Sequence, residues 1–156
     1  MIQRIQSVHM VLAIISAALL FVFPVSWFYG SENTIEFFVF QLREHLPQAK
    51  PLVSGFFLIP LLVLTVALIL LPLICIMQFK KLQFQYKIMR INMLLSVLLI
   101  GALLLFYISS LEKLTLTKAD YDFGAFLPIF VLIFSFLAMR GIKSDIKLLR
   151  SVDRIR

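Results

Sequence analysis

From Pro51 to Phe79 the chain runs 29 residues, PLVSGFFLIPLLVLTVALILLPLICIMQF, with no ionisable side chain except Cys75. The hydrocarbon core of a bilayer needs about 20 apolar residues of helix to cross it. Leu52 to Met77 holds eighteen Leu, Ile, Val and Phe. Each favours insertion by roughly 0.3 to 0.6 kcal/mol, whereas a lysine at the membrane centre opposes it by about 2.5 to 3.5 kcal/mol. Lys80 and Lys81 therefore stop the span.

The rest of the chain repeats the pattern. Its 156 residues are 62% hydrophobic and 15% charged, too apolar for a soluble domain and too short for several domains. Four uncharged runs occur, Met10–Ser31, Pro51–Phe79, Ile91–Leu111 and Phe123–Met139, of 22, 29, 21 and 17 residues. The expected fold is an all-α membrane protein. It is a single domain, a four-transmembrane-helix bundle with spans at approximately residues 8–29, 52–78, 90–111 and 123–140. A tail over 141–156 is expected to form an amphipathic basic C-terminal helix.

The net charge of +7 invites a nucleic-acid reading, but its distribution has a simpler cause. Arg4, the connection after the second span (Lys80, Lys81, Lys87, Arg90) and the tail hold eleven of the fifteen Lys and Arg against two acids. The other two connections hold four cations against six acids. With four spans, both termini and the middle connection share one side, and the positive-inside bias places that side in the cytoplasm. No nucleic-acid partner is expected. Cys75 is the only cysteine, which rules out an intramolecular disulfide and suits it to small apolar burial.

The N-terminal segment carries an early Arg4 and a long apolar run, like a signal peptide. The run exceeds the usual 7 to 15 residues or so and lacks a small-x-small cleavage site, so an uncleaved first span is expected. Ala13 and Ala17, with Ser16 beside them, give a face on which another helix approaches closely. Trp27 and Tyr29 fall where an interfacial aromatic belt would lie.

In the first outer connection Ile35, Phe38, Val39, Leu42 and Leu46 recur at helical spacing behind Ser31, Asn33 and Thr34 as caps, the pattern of an amphipathic surface helix. Strand is the rival reading. Ile35 to Phe40 is rich in β-favouring residues, and Leu114 to Thr117 in the second outer connection alternates, so the two stretches suit a small ribbon. Pro60 and Pro72 in the second span remove backbone donors and are compatible with a kink.

The connection QFKKLQFQYKIMRIN sets Phe79, Leu82, Tyr86 and Met89 on one stripe, with Lys80, Lys81, Lys87 and Arg90 largely off it. These four cations are the candidate contacts to anionic lipid headgroups. In the tail, Ile142, Ile146, Leu149, Val152 and Ile155 form a stripe with basic residues on the other faces. That helix suits the inner leaflet, the underside of the bundle or a cytoplasmic partner, with Arg150, Asp153, Arg154 and Arg156 as candidate partner contacts.

Both ends, Met1–Gln6 and Leu149–Arg156 with its Arg150, Ser151 and Asp153 to Arg156, together with the four runs, resemble an uncharacterised bacterial membrane family, domain of unknown function 4293. The resemblance implies a four-span protein of the inner membrane of Gram-negative bacteria. It brings no catalytic residue, ligand or partner.

Several chemistries lack their residues. Every Asp and Glu is placed outside a span, whereas ion-coupled transport usually uses a carboxylate within one. His9 and His45 are assigned to opposite faces, so no metal set forms. There is no phosphate loop and no nucleophile elbow, and no cofactor is implied. The expectation is a non-enzymatic accessory, assembly or scaffold subunit that contacts membrane lipids and other membrane proteins. A small transporter or channel for neutral or lipid-like molecules is the alternative.

Overall fold

Pro24 sits where the first apolar run changes structure. The computed structural model describes residues 3–30, 34–44, 55–78 and 81–153. Helix α1 spans Gln3–Leu19, and strand β1 follows at Ser26–Tyr29. The residue before a proline is pushed out of the helical region, and Trp27, Phe28 and Tyr29 prefer a pleated, half-buried setting. Ser26 and Phe28 are buried while Tyr29 is exposed. The expected span over 8–29 is thereby corrected: its part from residue 20 onward, nearly half of it, is turn and strand. The 17 residues of α1 cover about 26 Å at a rise of about 1.5 Å per residue.

Three further strands complete an antiparallel sheet: β2 (Thr34–Phe37), β3 (Leu42–Glu44) and β4 (Ala119–Tyr121), in the order β3-β2-β1-β4. Phe28 stands opposite Ile35 on one side and Ala119 on the other. The preferred surface helix in the first outer connection is therefore replaced by strands. Ile35 and Phe37 are buried in alternation, and Phe38 and Val39 lie in the turn before β3, with Phe38 N donating to Gln41 O at 2.9 Å. Leu46 lies outside the described residues. A ribbon does form, but its second-connection strand is 119–121 rather than 114–117, and β1 stands between the two stretches.

A 3-10 turn at Gly55–Leu58 leads into α2 (Ile59–Met77). Pro60 falls in the first turn of α2, where its missing donor has no intrahelical partner to lose. Pro72 lies inside the helix, which continues past it. Helix α3 (Leu82–Gly101) passes through a π-helical segment at Ala102–Ile108 into α4 (Ser109–Thr115). Tyr107 in that segment donates its hydroxyl to Phe57 O at 2.9 Å, tying it to the entry of α2.

The last helix, α5 (Leu127–Asp153), is 27 residues long. It crosses Arg140 without a break, so the basic tail helix is the continuation of the last apolar stretch. Three helical stretches, Phe56–Met77, Leu82–Thr115 and Phe123–Leu149, are long and apolar enough to cross a membrane.

The four long helices close a ring in which α5 packs against α1 and α3, and α2 packs against the same two from the other side. Ala13 and Ala17 are fully buried, as their small size requires for close helix approach. One apolar cluster under the sheet includes Phe28, Phe37, Leu61, Leu103 and Ile108. A second, at the opposite or basal end, gathers Met10, Cys75, Ile88, Met89, Ala138 and Ile142.

Candidate functional site

The basal end brings together the start of α1, the end of α2, the start of α3 and the second half of α5. Its interior is polar where helices meet. Asn92 of α3 donates to Ser135 Oγ of α5 at 2.8 Å, and Ser96 donates to Asn92 O at 2.8 Å. Gln85 of α3 donates to the Cys75 carbonyl of α2 at 2.8 Å. This bond satisfies one of the last carbonyls of α2, which have no partner within their own helix. Gln6 of α1 donates to the Asp145 carboxylate of α5.

Asp145 is only 7% exposed. Its Oδ1, like Asn92 Oδ1 and His9 Nδ1, has no hydrogen-bond partner among the described residues. Gly141 allows this approach of α1, since a Cβ there would stand 2.8 Å from the Gln6 Cγ. Among the described residues no group of three His, Cys, Asp or Glu is placed to hold a metal ion.

Outside this interior, α3 and α5 leave a groove of about 370 Å³ lined by Gln83, Tyr86, Lys87, Arg90, Lys143 and Ile146. A second hollow of about 430 Å³ is lined by Arg140, Lys143, Ser144, Ile146 and Lys147. Lys143 borders both. Among the described residues no carboxylate lines either hollow, because Asp145 is turned into the α1 interface.

Of the candidate headgroup contacts, Lys87 and Arg90 meet at the groove. Lys81 is exposed just before α3, and Lys80 lies outside the described residues. Of the candidate partner contacts, Arg150 and Asp153 belong to α5 by backbone, while their side chains, and Arg154 and Arg156 entirely, lie outside the described residues.

Sequence spacing alone does not bring Lys143, Tyr86 and Gln83 to one groove or pair Gln6 with Asp145. The sequence signal for Asp145 was its place seven residues after Ala138 and three after Ile142, on the buried face of α5. Residues at those spacings share one side of a helix.

A family model described as Domain of unknown function (DUF4293) matches residues 2–155. The chain belongs to the DUF4293 family. No curated protein and no solved structure gives a match. The match takes in the sheet, all four long helices and the basal hollows, so in this DUF4293 member the groove and the buried polar ties lie wholly within the family region.

Proposed function

We propose that this DUF4293 protein is a four-span integral protein of the bacterial inner membrane, with its N- and C-termini in the cytoplasm and its sheet on the outer side. It serves as an accessory, assembly or scaffold subunit of a larger membrane complex, through protein contacts rather than catalysis.

The observation that carries this reading is where the polar groups of the bundle go. Asn92, Ser135, Gln85, Gln6 and Asp145 bond across helix interfaces, which fastens helices to one another, as buried polar side chains do in membranes. The outer surface meanwhile presents large apolar side chains, among them Val63, Leu70, Val97, Leu105, Ile133 and Phe136, suited to lipid and to neighbouring helices. The short α1 reaches across when its flanking turn and the local bilayer adjust, at a modest cost per Å of mismatch.

The test is recovery from native membranes in mild detergent after cross-linking. A partner in fixed ratio to the chain is expected, and repeated recovery of the chain alone overturns the reading. Removing residues 142–156 while insertion is retained then asks whether the contact lies in the tail.

A second reading, a small transporter for neutral or lipid-like molecules, draws on the π-helical segment Ala102–Ile108 in the third apolar stretch. Such segments recur at functional sites. Solute flux in liposomes containing the purified protein, abolished by substitutions in that segment, would favour it over the first reading.

A further inference from the structure

We propose that the groove between α3 and α5 is a binding site for one anionic phospholipid, which sets its headgroup phosphate against Lys87, Arg90 and Lys143. Two helices supply these cations, and among the described residues no acid lines the groove to neutralise them. Tyr86 and Gln83 add neutral hydrogen-bonding groups beside the charges. Arg and Lys together suit a phosphate, the guanidinium by its fork of donors and the ammonium as a point charge. On the far flank of Lys143, Arg140 and Lys147 extend the positive field without widening the groove itself.

The choice of a lipid over a free phosphate comes from what lies above the charges. At helical spacing from Arg90, α3 presents Leu94 and Val97, 59% and 54% exposed. From Lys143, one side of α5 carries Phe136, 48% exposed. Seven residues of helix separate Arg90 from Val97, about 10 Å at a rise of about 1.5 Å per residue. A molecule with an anionic head and acyl chains meets both surfaces, whereas inorganic phosphate meets only the first. Basic hollows between membrane helices are a recurrent form of headgroup recognition.

This inference rests on the membrane placement proposed above, but not on any protein partner. Its test in detergent is independent of which way the chain is oriented. The full-length protein in a nonionic detergent is titrated with phosphatidylglycerol, phosphatidylcholine or sodium phosphate, and bound lipid is counted by native mass spectrometry. One phosphatidylglycerol per chain is expected, with phosphatidylcholine about tenfold weaker or more, and millimolar phosphate should not displace the lipid.

The variant K87Q/R90Q/K143Q should bind phosphatidylglycerol about tenfold more weakly or worse, while R43Q/K113Q/K118Q, which removes the same charge at the sheet end, should stay within about twofold. Equal loss in both variants would mean diffuse attraction only, and equal binding of phosphatidylcholine would mean no headgroup selection. Displacement by phosphate would mean a soluble-anion site. Each of these results overturns the proposal. If the triple variant does not fold, K143Q is read against K113Q, with a loss of about threefold or more expected for K143Q alone.

Discussion

Asn92 of α3 donates its side-chain amide to the Ser135 hydroxyl of α5 at 2.8 Å, and both residues are fully buried. The bond joins two helices where both side chains are shut off from the surface, and the alternative is an unpaired polar group. Interhelical hydrogen bonds of this kind contribute about 0.6 kcal/mol on average and up to about 1.7. A double-mutant cycle of Asn92→Ala and Ser135→Ala, read by unfolding in mixed micelles, should give a coupling within that range. Strict additivity would mean that the two side chains do not act together.

Gly124 and Gly101 should respond oppositely to alanine. Gly124 joins the entry of α5 to the exit of α1, its N–H donating to Pro24 O at 3.1 Å. A Cβ at Gly124 would run into backbone, 2.7 Å from the Pro24 carbonyl carbon and 2.9 Å from Phe23 O, whereas one at Gly101 meets nothing within 4 Å. Gly124→Ala is expected to lose about 1 to 3 kcal/mol of stability. Gly101→Ala should gain about 0.5 to 1 kcal/mol, because glycine is the more costly residue in a helix. Thermal unfolding in detergent distinguishes the two.

Leu116 closes α4 in the left-handed conformation, φ 54°, and is 91% exposed. Its side chain has little buried contact to lose, and for a non-glycine residue this conformation is unfavourable by about 1 to 2 kcal/mol. Leu116→Gly is therefore expected to raise the unfolding temperature. A lower temperature would mean that the exposed leucine is held by a contact outside the chain.

Composition and run length are enough to locate the helical stretches Phe56–Met77, Leu82–Thr115 and Phe123–Leu149, because a long uncharged stretch has few other uses. The end of α1 was harder to read. Val25 to Tyr29 is as apolar as the helix before it, so hydropathy could not separate strand from span, and the signal was Pro24 with the aromatic run behind it. The first outer connection misled for a related reason: Ile35 and Phe38 satisfy a helical period, but Ile35 and Phe37 satisfy the strand period that the neighbouring β1 selects.

At the basal site, Lys87 and Arg90 were legible as exposed cations near an interface. Lys143 was not, since its pairing with them requires α5 to run unbroken alongside α3. Asp145 reads from sequence only as an acid outside the spans, because its partner, Gln6, lies 139 positions away. Contacts of that separation leave no mark in local periodicity.

Cys75 is the sole cysteine and is fully buried. In the folded protein its labelling by a maleimide should be slow, and addition of denaturant should make it fast. Rapid labelling of the native protein would contradict the burial of the α2–α3 interface, where the Cys75 thiol donates to Gln85 O at 3.5 Å.

The central claim is that the chain crosses the membrane four times, with its sheet outside and its basic end in the cytoplasm. In a Cys75→Ala background, a cysteine is placed either at Lys118 near the sheet or at Ser144 on α5, both exposed positions. Spheroplasts are then treated with a membrane-impermeant maleimide. Lys118→Cys should label in intact spheroplasts and Ser144→Cys only after lysis. Labelling of Ser144→Cys in intact spheroplasts would contradict the account.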